Sequence, residues 1–156
     1  DLPLLRNKAT GKKVISSNPQ TALLTNGVRG SLRQSDFEWC TWDKLEQSSF
    51  TVDLGQTETI GKVTLGCLTN YGMAVQKITL ELSEDNRRFT EAGKKTFDKD
   101  EIFKEGNYIE DIAFDVKGKQ ARYVRIKTEG YGKCIPEHYM RPGQPARYYF
   151  DELTVE

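Results

Sequence analysis

Period-two alternation of apolar and polar residues recurs along this chain, and no segment carries a sustained, capped helical stripe. Val63, Leu65 and Cys67 alternate with Lys62, Thr64 and Gly66, and Ile78, Leu80 and Leu82 alternate with Thr79, Glu81 and Ser83. Phe50-Thr51-Val52-Asp53-Leu54 has the same rhythm and is read as stopping at Gly55. Glu84-Asp85-Asn86-Arg87 reads as a polar turn before Phe89. Ile112, Phe114 and Val116 alternate up to an expected turn at Lys117-Gly118-Lys119, and Ala121-Arg122-Tyr123-Val124-Arg125-Ile126-Lys127 follows. The last strand is read over 148–155. Half-polar strands without intervening helices must bury their apolar faces on one another, so the pattern predicts an all-β, antiparallel sandwich.

At 156 residues the chain is long enough to bury a core as one domain, 1–156, without disulfides. Lysine plus arginine and aspartate plus glutamate number 23 each, so no net field draws it to nucleic acid or acidic lipid. Arg6, Lys8, Lys12 and Lys13 cluster without interleaved aromatics and read as a solvated entry segment. No apolar run reaches membrane-spanning length. The abrupt start at Asp1-Leu2-Pro3 suggests a mature fragment or an excised module.

Cys40, Cys67 and Cys134 form no close metal-ligand spacing. Cys67 reads as a small core residue, and the expectation is free thiols, although a Cys40–Cys134 pairing is left open. Three segments break the strand rhythm: 33–49, 69–75 and 129–147. Long loops on a rigid sandwich are where binding residues concentrate. The first carries Asp36, Phe37, Glu38, Trp39 and Trp42, and the second Asn70 and Tyr71. The third carries Tyr131, His138, Tyr139, Arg141 and Arg147. Aromatics beside hydrogen-bonding charges suit a sugar, whose C–H face stacks on a ring while its hydroxyls take forked partners. Against this, Trp39 and Trp42 read equally well as plugs at the end of the sandwich, and His138 as a structural histidine. Tyr131 and Arg147 read as packing and rim residues.

The two ends carry a second candidate site. Residues 23–31, Leu-Leu-Thr-Asn-Gly-Val-Arg-Gly-Ser, are rich in turn residues and oxygen donors, and the last strand carries Asp151 and Glu152. Calcium takes six to eight oxygens, and backbone carbonyls, an amide, a hydroxyl and a carboxylate all qualify. On the residues alone the balance tips toward an ordinary Asn-Gly turn and an exposed acidic strand end.

Five ordered pieces extend the reading. They are Leu24-Thr25-Asn26-Gly27-Val28-Arg29-Gly30-Ser31; Val52-Asp53-Leu54-Gly55; Ser83-Glu84-Asp85 with Phe89; Ala121-Arg122-Tyr123-Val124-Arg125-Ile126; and Phe150-Asp151-Glu152-Leu153. With them the chain resembles, over nearly its whole length, the coagulation-factor 5/8 type C (discoidin-like) domains. It looks most like the family-32 carbohydrate-binding modules appended to bacterial glycoside hydrolases such as hexosaminidases or chitobiases. The resemblance implies a galactose-binding-like jelly roll of about eight core strands. It implies a structural calcium held by the side chains of Asn26, Ser31 and Glu152 and the carbonyls of Leu23, Val28 and Asp151. Asn26 stands where the family usually has aspartate and Ser31 where threonine is common, and the lost charge should weaken the site.

The resemblance further implies a non-catalytic, monomeric module that meets glycans with terminal galactose or N-acetylhexosamine on loops at one end. Candidate sugar contacts are Asp36, Glu38, Trp39, Trp42, Tyr71, His138, Tyr139 and Arg141. Cys134-Ile135-Pro136-Glu137-His138 looks like the corresponding loop of hexosaminidase-attached members, whereas the second loop offers only Tyr71 as an aromatic. A glycoside hydrolase in the same parent chain and a bacterial, extracytoplasmic location are implied with it. The alternative is a discoidin-like adhesion domain that uses Phe37, Trp42 and Met73 as membrane spikes, although Asp36, Glu38, Asp43 and Glu46 would be repelled by an anionic surface. An enzyme fits least, because one histidine supplies no evident triad or metal-histidine set. The acidic pair Asp36 and Glu38 is common by chance in such a chain.

Overall fold

The computed structural model describes residues 6–33, 35, 37–43, 47–70, 75–98, 105–130, 133–134, 136–138 and 141–156, with backbone only at 43, 47, 48 and 70. The strands are β1 (Lys13–Ile15), β2 (Cys40–Asp43), β3 (Gln47–Asn70), β4 (Val75–Ser83), β5 (Thr90–Thr96), β6 (Asn107–Gly130) and β7 (Arg147–Val155), with a 3₁₀ helix at Pro19–Thr25. Among the described residues every strand pairing is antiparallel. The hydrogen-bonded order is β2-β7-β3-β6-β4-β5, with β1 also on β3. The fold is the expected antiparallel β-sandwich.

Pairing partners divide this continuous sheet into two layers. Residues 63–68 of β3 lie between β7 and the start of β6, whereas 51–53 lie between β1 and the end of β6. The two long strands therefore serve both layers, and their register shifts between Asp53 and Glu58 and between Ile60 and Lys62. Gly55, Lys117 and Gly118 have positive φ at these places. The stops expected at Gly55 and at Lys117-Gly118-Lys119 are thus bulges within one ladder. A bulge uses turn-like backbone to bend and twist a strand, which lets it cross from one layer to the other.

The alternating residues form the core as the sequence predicts: Val63, Leu65, Cys67, Ile78, Leu80, Leu82, Ile112, Phe114 and Val116 are buried. Phe50 of one layer meets Phe150 of the other at 6.3 Å between ring centroids. Gly130 lies so close to the Tyr148 ring and hydroxyl that a side chain there would collide with it. The segment 33–49, read as irregular, contains β2, an edge strand too short to show a period. Its exposed backbone is capped by side chains: Gln20 Oε1 accepts from Thr41 N at 2.8 Å and Asn18 Nδ2 donates to Thr41 O at 2.9 Å. Such capping blocks edge-to-edge pairing.

The chain's first described residues close on its last strand. Lys8 N donates to Val155 O at 2.9 Å, and Val155 N donates to Asn7 Oδ1 at 3.1 Å.

Candidate functional site

The early loop and β7 meet at a bulge. Leu65 pairs with Leu153 but Cys67 with Phe150, which sets Asp151 and Glu152 opposite Gly66. A Cβ at Gly66 would run into the Asp151 carboxylate. Loop residues 26–30, with Gly27 at φ 81°, bring backbone amides onto both acids. Gly30 N and Arg29 Nε donate to Asp151 Oδ2 at 3.0 and 2.6 Å, and Glu152 N donates to Asp151 Oδ1 at 2.7 Å. Arg29 also spans to Asp111 Oδ1 at 2.6 Å. Asp151 is therefore a buried anion whose oxygens are taken by the fold itself.

Glu152 is different. Its Oε1 accepts from Gly27 N at 3.0 Å, while its buried Oε2 has no hydrogen-bond partner among the described residues. Burial pushes its carboxyl up to about 8, against the Gly27 amide that favours the anion, and the Asp151 charge adds to the rise. Asn26 precedes the Gly27 amide that bonds Glu152, with its Oδ1 accepting from Val28 N at 2.9 Å and its Nδ2 donating to Glu38 at 2.8 Å. Ser31 is exposed, its Oγ accepting from Arg33 N at 3.3 Å. The described residues include no cluster of three or more His, Cys, Asp or Glu able to hold a metal. The buried Glu152 oxygen is the feature a hard cation would satisfy, whereas the Leu23 carbonyl already accepts from Asn26 N at 3.3 Å and the Asn26 amide oxygen is held by Val28 N.

The sugar candidates separate into distinct environments. Trp39 is 2% exposed, its ring pressed on Gly30 and its Nε1 donating to Ser31 O at 2.9 Å. Trp42, also 2% exposed, stands on β2 opposite Tyr148. His138 is 3% exposed, and its Nδ1 accepts from Arg141 N at 2.9 Å. Arg141 is half-buried and donates to Pro145 O at 3.2 Å, while Cys134 N donates to Gln144 O at 2.8 Å, so these described residues of the loop are bonded to one another. Glu38 is half-buried and joins the early-loop site through Asn26. Asp36, Tyr71, Met73, Tyr131 and Tyr139 lie outside the described residues.

The structure thus brings Asn26, Glu38, Trp39, Val28 and Glu152 to one place and buries both tryptophans and the histidine. The sequence reading assigned no role to Arg29 or Asp111. They are 82 residues apart, and no local pattern links them.

A family model for the F5/8 type C domain matches residues 8–137, and the chain belongs to that family. A search of curated proteins found no match. Among solved structures the chain is similar to chitosan-binding module 1 from a chitosanase/glucanase of Paenibacillus sp. IK-5, at 20% identity and TM-score 0.61, covering 97% of this chain and 98% of that one. It is similar to a fucose-binding module of Streptococcus pneumoniae at 16% identity and TM-score 0.58, with coverages of 97% and 98%. A Clostridium perfringens module solved in complex with GlcNAc-α-1,4-galactose aligns at 14% identity and TM-score 0.56, with coverages of 99% and 96%. At such identities the likeness establishes a shared fold.

Proposed function

We propose that the chain is a non-catalytic carbohydrate-binding module that carries an attached, secreted bacterial glycoside hydrolase to glycans ending in galactose or N-acetylhexosamine. The observation that supports this best is the similarity of nearly the whole chain to modules described as binding chitosan or fucose, or solved with a GlcNAc-galactose disaccharide. A non-catalytic role agrees with the arrangement of the acid–base groups described above. His138 is buried on a backbone amide and Asp151 is held by Arg29, so neither presents a reactive group to a substrate. Shallow sugar sites bind with dissociation constants on the order of 0.1–1 mM, and tethering to an enzyme raises the local substrate concentration. Screening on a glycan array, followed by titration with galactose and N-acetylhexosamines, tests the reading; silence across all of them would overturn it.

A structural calcium belongs to the same proposal. Asn26, Ser31 and Glu152 would supply side-chain oxygens, and Leu23, Val28 and Asp151 their carbonyls. Bound there, the ion supplies positive charge to the Glu152 carboxylate and ties the early loop to β7. Support comes from the buried Glu152 oxygen with no partner among the described residues. Calcium at a hundredfold excess over its dissociation constant should stabilise the fold by about 2.7 kcal/mol, raising Tm by roughly 5–10 °C over the chelated protein. An identical Tm with calcium and with chelator would remove the ion from the proposal.

One observation favours the adhesion reading as an alternative. Phe37 is 93% exposed, as a membrane spike would be, whereas Trp42, also read as a spike, is buried. Co-sedimentation with phosphatidylserine liposomes separates the two.

A further inference from the structure

Residues 31–39 leave the early-loop site at Ser31 and return to it at Trp39. The neck is closed by the Trp39 Nε1 to Ser31 O bond at 2.9 Å and by the Trp39 ring on Gly30. Glu38 is tied to Asn26 at 2.8 Å, and Leu32 O accepts from Asn107 Nδ2 at 3.3 Å. Ser31, Leu32, Glu38 and Trp39 are therefore rooted in the scaffold, and other described residues between them meet solvent. There Phe37 is 93% exposed and Leu32 54%, with Arg33 and Ser35 exposed beside them. Tyr108, 38% exposed, follows the Asn107 that holds Leu32.

We infer that Phe37, and not Trp39 or Trp42, is the platform on which a sugar ring stacks. The inference rests on the carbohydrate-binding reading and names the surface that reading needs. A ligand-stacking ring must offer its face to solvent before binding, and both tryptophans are sealed in the fold. Phe37 meets that condition and sits on a loop whose neck is already ordered, so little conformational freedom is lost when a ligand docks. One open ring, with the Arg33 guanidinium and Ser35 hydroxyl in the same loop to meet hydroxyl groups, matches the size of a single terminal pyranose. The occupant is a neutral hexose or N-acetylhexosamine with a continuous C–H face. An anionic bilayer matches less well, because the chain carries no net charge and Arg33 is accompanied in this loop by Asp36 and Glu38.

The test is calorimetric titration of the unaltered chain, Phe37→Ala and Phe37→Trp with galactose, N-acetylgalactosamine, N-acetylglucosamine and fucose, with Tm measured for each. Phe37→Ala should weaken binding about tenfold or more while leaving Tm unchanged, and Phe37→Trp should retain binding. Trp39→Phe should lower Tm by comparison, because its indole N–H closes the neck. If the unaltered chain binds a sugar and Phe37→Ala binds it equally well, this inference is wrong while the carbohydrate reading stands. If the unaltered chain binds none of them, both fall. Phe37-dependent sedimentation with phosphatidylserine vesicles, without sugar binding, would assign the ring to a membrane and overturn the inference.

Discussion

Asp151 and Glu152 are adjacent, both buried, and held in opposite ways. Asp151 is surrounded by donors, so removing one donor should expose the cost of burying a charge. Arg29→Ala is predicted to destabilise the fold by about 2–3 kcal/mol, below the range for a fully enclosed pair because Arg29 keeps contact with water. Urea denaturation measures this; a change within 0.5 kcal/mol (about the scatter of surface substitutions) would show that the Arg29–Asp151 bond is incidental. Gly66→Ala acts on the same bulge by steric conflict with the Asp151 carboxylate, and should cost about 1–3 kcal/mol in the same assay. The sequence motif singled out Asn26, Asp151 and Glu152, because turn chemistry and paired acids are local signals. Arg29 and Asp111 carried no such signal, since their pairing exists only once β6, β7 and the loop have met. Phe37 was visible as a residue type, but exposure is a property of the fold.

At the scale of elements, periodicity made β4 and most of β3 and β6 legible, since each buries alternate residues on one face. Glycine and the Lys117-Gly118 pair were read as stops because bulges and turns draw on the same positive-φ chemistry. β2 escaped notice because its four residues owe their strand geometry to β7 and to the capping by Asn18 and Gln20. The layer built on β4 and β6 also carries an ion-pair cluster. Arg125 stands 3.6 Å from the Phe89 ring centroid and 2.9 Å from Glu81, and Lys127 lies 3.3 Å from the same carboxylate. Burial pushes the Glu81 carboxyl up, but Arg125 and Lys127 outweigh it and hold the group below its usual range. The stability from a lowered carboxylate is present above its unfolded pKa and lost as pH falls through the folded value. Arg125→Ala should therefore cost about 1–2 kcal/mol at pH 7 and less near pH 3 (roughly a unit below the unfolded Glu value), where part of the ion-pair contribution has gone and the ring contact remains. Urea curves at both pH values check the difference. An equal loss at each would assign the whole effect to Phe89.

Across the whole molecule, the sandwich class followed from the alternation alone, and the closing of the two ends followed from the family resemblance. The burial of Trp39, Trp42 and His138 did not follow, because a tryptophan in a loop looks the same in sequence whether it plugs the fold or meets a ligand. The three cysteines behave as core residues without disulfides. Burial pushes Cys40 up to about 12 and drives Cys67 well above the ordinary thiol range. Without reductant, alkylation at about pH 8, near the unperturbed thiol pKa, should be slow on the folded protein and give three adducts per chain after denaturation. A mass shift of a single adduct would indicate a Cys–Cys bond instead.

The most direct test of the carbohydrate-binding proposal is calorimetric or NMR titration of the intact chain with N-acetylhexosamines and galactose in calcium-containing buffer. Saturable binding with a dissociation constant on the order of 0.1–1 mM is the predicted result. No heat or chemical-shift change with any of these sugars up to about 10 mM, a concentration that would saturate such a site, would contradict it.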